Sequence, residues 1–157
     1  SISSSKPNCM SGVDLARVFW LTIAAHGSGL EFISQDLPNG DQESPVTVNS
    51  DVQQQAKTES RQLAALGPCI LTGKPVAIKS SEDVVDVAAW QYGNSTCVMA
   101  INSTDHATNA TLSIPSVGKA KTARVFWQGR SVKVAAGAVS ESFAPARVDL
   151  MLIQNQK

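Results

Sequence analysis

The chain has 157 residues, 43% of them apolar and 17% charged, with 13 basic and 13 acidic side chains and a formal net charge of zero. A chain of this size buries roughly 70% of its extended surface, enough for a real core, and this composition argues against a disordered chain. Lys and Arg are dispersed, which gives no nucleic-acid footprint, and no apolar run approaches the roughly 18 residues that span a bilayer.

The opening SISSSKPNCMSG has neither an initiator Met nor a signal-peptide pattern, and reads as an N-terminus left by processing of a longer precursor. Residues 11–26, SGVDLARVFWLTIAAH, predict a helix. Ser11 can cap it, Asp14 suits its positive N-terminal end, and Gly27 can stop it. Val13, Leu15, Ala16, Val18, Phe19, Trp20, Leu21, Ile23 and Ala24 make it apolar nearly all round. Such a helix is buried, and in a short chain it implies a partner surface.

GSGLEFIS then reads as a short strand, followed by the polar loop 35–50. A second helix is expected from Asp51 to Leu66, with Ser50 or Asp51 as cap and an apolar face of Val52, Ala56, Leu63 and Leu66. Gly67-Pro68 should end it.

From Pro75 onward short alternating segments separated by turn residues predict strands near 76–79, 85–92, 96–102, 109–114, 122–128, 131–135, 138–143 and 147–153. Strand 85–92 sets Val85, Val87, Ala89 and Gln91 against Asp86, Ala88, Trp90 and Tyr92, so its core face is ambiguous. The expected fold class is mainly β, α+β overall. An antiparallel β-sandwich of about eight strands (71–157) follows a helix-strand-helix segment (1–70).

Three N-x-S/T sequons fall within 18 positions, at Asn94, Asn102 and Asn109. They predict glycosylation on exposed edges and turns of a secreted protein, or else are ordinary turn residues. Three cysteines are present. Cys69 and Cys97 can pair if the segment entering the sandwich lies against the strand at Cys97, leaving Cys9 to reach another polypeptide; the alternative is three reduced core thiols. Only two His occur, His26 and His106, and no C-x-x-C, so no metal is expected; no cofactor motif is present. HGSG at 26–29 lacks the G-x-S-x-G order of a nucleophile elbow. Trp90, Tyr92, Phe126 and Trp127 are candidates for a sugar-stacking platform. Alternation would put Val125 and Trp127 on one face and Arg124 and Phe126 on the other, making at least one aromatic core.

ARVFWLTIAAHGSGLEFISQ resembles the late barrel of retaining glycoside hydrolases, in which an apolar helix and a small-residue turn lead into the final strand. Ala24, Ala25, Gly27, Gly29, Phe32 and Ser34 match that form. LAALGPCILTGKPV resembles the exit into a C-terminal domain, and ATLSIP, ARVFWQGRSV and ESFAPARVDLMLI resemble three of its strands. Phe143, Pro145, Val148 and Leu150 fit the last strand, where Met151 and Leu152 replace the usual Tyr region.

The resemblance implies the last β/α unit of a (β/α)8 barrel plus a C-terminal β-sandwich, from a secreted or lysosome-like compartment. Glycoside hydrolysis needs two carboxylates about 5–9 Å apart. In the resembling barrels both would precede Ser1, so this chain is expected to support the barrel without being catalytic. Glu31, Gln35 and Asp36, in and after the last barrel strand, are the candidate sugar contacts. The implied partners are carbohydrate and the remaining barrel polypeptide, or a self-association partner covering the first helix. The alternative is a stand-alone glycoprotein module for carbohydrate binding or assembly.

Overall fold

The computed structural model describes residues 11–25 and 50–155. Helix α1 spans Gly12–Ala24. Ser11 forms a full capping box with Asp14, as the sequence suggests, and satisfies backbone donors that the first turn leaves open. The hydroxyl and backbone N–H of Ser11, with Arg17 beside them, hold the Asp14 carboxyl below its usual range.

Helix α2 spans Ser50–Thr72 and does not stop at Gly67-Pro68. Pro68 lies inside it, which costs about 3 kcal/mol through the lost hydrogen bond and the ring clash. Tertiary anchoring overrides that cost. Leu66 and Cys69 are buried with Trp90 against the sheet, and Cys69 is disulfide-bonded to Cys97 across 28 residues. Closing a loop of that length removes about 3–4 kcal/mol of unfolded-chain entropy. The helix ends at Gly73, where a Cβ would meet the Cys69 carbonyl oxygen at 2.1 Å.

The remaining strands are β1 (Lys74–Pro75), β2 (Lys79–Ser80), β3 (Val85–Tyr92), β4 (Ser95–Asn102), β5 (Thr108–Ser113), β6 (Thr122–Val125), β7 (Arg130–Ala135), β8 (Ala138–Phe143) and β9 (Val148–Gln154). All pairings are antiparallel, in the order β1-β3-β4-β9-β6-β7-β8-β5-β2.

The β-rich expectation holds, but the sandwich description is corrected. One continuous sheet is present, and its two edge strands, β1 and β2, are separated in the chain only by residues 76–78. Three residues span at most about 10 Å, so the sheet has to curl until its edges approach. The Val76 N–H still donates to Ala89 of β3, whereas the Ser81 N–H already donates to Thr111 of β5. The interior is filled by one core that includes Val98, Leu112, Phe143 and Ile153.

A second core lies outside the curl, where α1 and α2 cover β3, β4 and β9. Trp20, Leu66 and Cys69 from the helices meet Trp90, Met99, Ile101 and Leu150. Strand β4 is therefore buried on both faces. This also resolves the ambiguity of β3: Val85 and Ala89 face the inner core, and Trp90 faces the helices. Among the described residues, the cover over Trp20 comes from the chain itself.

Helices α1 and α2 are parallel. The Gly12 N–H donates to Asp51 Oδ2 at 2.7 Å, and the Trp20 indole N–H donates to Glu59. Both contacts join residues 39 apart in sequence, so the helices run side by side in constant register. The chain must therefore travel back roughly 20 Å, the length of α1, between the end of one helix and the start of the next.

Candidate functional site

The three connections β4–β5, β6–β7 and β8–β9 gather at one end of the curled sheet. Asn102 ties two of them together. Its side chain is fully buried, and the two N–H groups of Nδ2 serve the carbonyls of His106 (2.8 Å), Phe143 (3.2 Å) and Ala144 (3.0 Å), one N–H being shared. Its Oδ1 accepts from the backbone N–H and hydroxyl of Thr104. The amide orientation is fixed by chemistry, because three carbonyls can only be met by the donor end.

The third connection is held by a charged cluster. Asp149, fully buried on β9, accepts from Gln128 Nε2 (2.6 Å), Arg147 Nε (2.8 Å) and Arg130 (3.3 Å). Arg130 also pairs with Glu141 at 2.9 Å, and Gln128 Oε1 accepts from both Arg130 and Arg147. Two guanidinium groups thus balance two carboxylates. Strand β6 ends at Val125, and Trp127 sits in the following turn with φ +58° and 51% of its surface exposed. The expected alternation stops there: Val125 is buried in the inner core, Phe126 packs on the outer core, and Trp127 projects away.

The arginine end of α1 approaches the same loops. Arg17 donates to the Ser103 carbonyl at 3.5 Å, and the Ser103 hydroxyl donates to Asp86. The N-terminal half of α1 therefore lies at the end of the sheet that carries these connections.

Of the sequence-predicted residues, Glu31, Gln35, Asp36, His26 and Cys9 lie outside the described residues, as does the HGSG turn. Cys69 and Cys97 are joined by a disulfide with Cα atoms 6.6 Å apart. Asn94 is exposed in the β3–β4 turn and Asn109 is exposed on β5. Asn102 departs from the exposed-turn expectation: the nitrogen to which a glycan would be joined is buried and committed to three carbonyls. The four aromatics do not form one platform. Trp90 is in the outer core, Phe126 is half-buried, and Tyr92 and Trp127 are exposed.

The sequence reading missed Glu59. It is 3% exposed, accepts from Trp20 and Gln55, and its carboxyl is pushed up by burial, with the two hydrogen bonds opposing the shift. Its spacing carried the signal: Val52, Ala56, Glu59, Leu63 and Leu66 form one stripe at three- and four-residue intervals, with an acid in the middle. Asp149 was equally visible as an acid within VDLMLI, two residues after Arg147 and so on the same strand face.

A carboxyl with a raised pKa suits a general acid, but Glu59 is sealed beneath Trp20 between the helices and cannot meet a substrate. Glu141 and Asp149 are locked in ion pairs with Arg130 and Arg147. These three buried or paired carboxylates are therefore not free to flank a glycosidic bond, and among the described residues no group of three or more potential metal ligands occurs.

No protein-family model matches the chain, and no curated protein sequence matches it. Solved structures do. A maltogenic alpha-amylase from Thermotoga neapolitana matches with a TM-score of 0.61 and 14% identity, over 90% of this chain and 36% of that one. An alpha-amylase from Geobacillus thermoleovorans matches with a TM-score of 0.57 and 17% identity, over 75% of this chain and 27% of its own. An Anoxybacillus alpha-amylase, described as a new glycosyl hydrolase subclass, matches with a TM-score of 0.53 and 19% identity, over 75% and 26%. Among the described residues the strands occupy residues 74–154, about half of the chain, so these matches extend into the half that precedes them. The chain spans 26% to 36% of the length of these enzymes, and the likeness is one of fold.

Proposed function

We propose that the chain is the C-terminal part of a secreted glycoside hydrolase. Residues 1–70 would be the last β/α unit of the barrel, and residues 71–157 a β-domain that buttresses it without being catalytic. The observation that supports this most is the parallel, in-register pairing of α1 and α2. Parallel neighbouring helices need a return segment between them, and in a β/α barrel that segment is a strand. GSGLEFIS, between the helices, has the sequence for it. The fold likeness to alpha-amylases across both halves of the chain supports the same reading.

In a barrel, helices start at the face that carries the active site. The N-terminal half of α1 would therefore bring the β4–β5 connection to that side of the molecule, and Glu31, Gln35 and Asp36 would contribute there to the sugar cleft. The paired carboxylates would come from the remaining barrel polypeptide. The disulfide and the sequons at Asn94 and Asn109 favour a secretory compartment.

The test is the native mass of material purified from its source, against its reduced, denatured and deglycosylated mass. A second, larger polypeptide released on denaturation, or continuation of this sequence upstream into further β/α units, is expected. A lone 157-residue chain plus glycans would overturn the proposal.

A further inference from the structure

We infer that Trp127 and the polar cluster beside it form a surface subsite for a neutral pyranose, built from residues other than the cleft residues proposed above. Trp127 is 51% exposed, although it is a bulky side chain on left-handed backbone, a conformation that such residues rarely adopt. The turn presents the indole outward, backed by the Phe126 ring at 5.0 Å. Gly129 follows with φ +63° and open space around it. An exposed aromatic face can stack on the C–H face of a sugar ring.

The adjoining residue, Gln128, links that face to Arg130 and Arg147, whose side chains remain 30% and 26% exposed. Arg130 uses three of its five N–H donors, Arg147 two of five, and the Gln128 amide one of two. The remaining donors have no protein acceptor among the described residues and can meet hydroxyl groups.

Charge decides the ligand class. Glu141 and Asp149 already neutralise the two arginines, so the site offers donors without the net positive charge that a phosphate or sulfate ligand requires. A polyhydroxylated neutral ring fits both the aromatic face and the donors.

The test uses the full chain with maltoheptaose and, separately, cellohexaose, titrated by calorimetry. At least one should bind the wild-type chain. Trp127→Ala should lower its association constant at least about tenfold with little change in melting temperature, and Trp127→Phe should restore most of it. Trp20 and Trp90 are 0% and 4% exposed, so acrylamide quenching of the wild-type indole emission reads Trp127, and bound sugar should shield it. That readout needs no variant to fold. Absence of binding of either sugar, unchanged affinity in Trp127→Ala, or unshielded emission at saturating sugar would overturn the inference. None of these outcomes bears on the barrel reading, which the native mass decides independently.

Discussion

Asn102 carries the sequon pattern, yet its amide joins the β4–β5 and β8–β9 connections from a fully buried position. Replacing it with Ala would strip three carbonyls of their donor and two Thr104 donors of their acceptor. The expected cost is on the order of 3 kcal/mol, read as a lower urea midpoint with an unchanged slope. Folded, secreted material should carry glycans at Asn94 or Asn109 and none at Asn102. Peptide mapping that found Asn102 occupied in folded protein would contradict this role. The sequence could not separate the three sequons, because N-x-S/T records an acceptor motif and says nothing of burial. Trp127 illustrates the same limit: strict alternation assigned it a strand face, but the strand ends two residues earlier and the Gly129 turn decides where the ring points.

At the scale of elements, both described helices and nearly every described strand were legible, because capping residues and period-two alternation are local signals. Two features were not. The end of α2 was misplaced because Gly67-Pro68 is a local stop signal, whereas the anchors that carry the helix to Thr72 are on β3 and β4. Glu59 went unremarked because the indole that it accepts from is 39 residues away.

Its burial raises the folded-state pKa above the unfolded value. Between those two values the folded chain holds a proton that the unfolded chain has lost, so stability falls as pH rises through that window and levels off above it. Glu59→Gln should remove this fall and leave the protein at least as stable at pH 7, since the new amide oxygen can still accept from Trp20 while Gln55 turns its own amide to accept from the new N–H. Glu59→Ala should cost about 1–3 kcal/mol at every pH by leaving the indole N–H unpaired. Urea midpoints from pH 4 to 8 check both, and an unchanged pH slope in Glu59→Gln would contradict the assignment.

For the whole molecule, the predicted sandwich became a curled single sheet because closure is a matter of connectivity. Only the pairing of β1 with β3 and of β2 with β5 shows that three residues bridge the two edges. Pairing across 30 or more residues cannot be read from alternation. The second core was half legible. The apolar α1 and the ambiguous β3 each announced a buried extra face, and the two turn out to cover one another.

The relative direction of α1 and α2 was implied only by the barrel resemblance and not by any local signal, yet it carries the functional reading. Its direct test is a pair of electron–electron distances on the full chain. Spin labels at Val13 and Gln54, and separately at Thr22 and Arg61, should give two similar short distances, set by helix axes about 8–10 Å apart. Labels at Val13 and Arg61 should be longer, by an axial offset of about 13 Å. One short and one long distance for the first two pairs would mean antiparallel helices, and would remove the β/α unit on which the account rests.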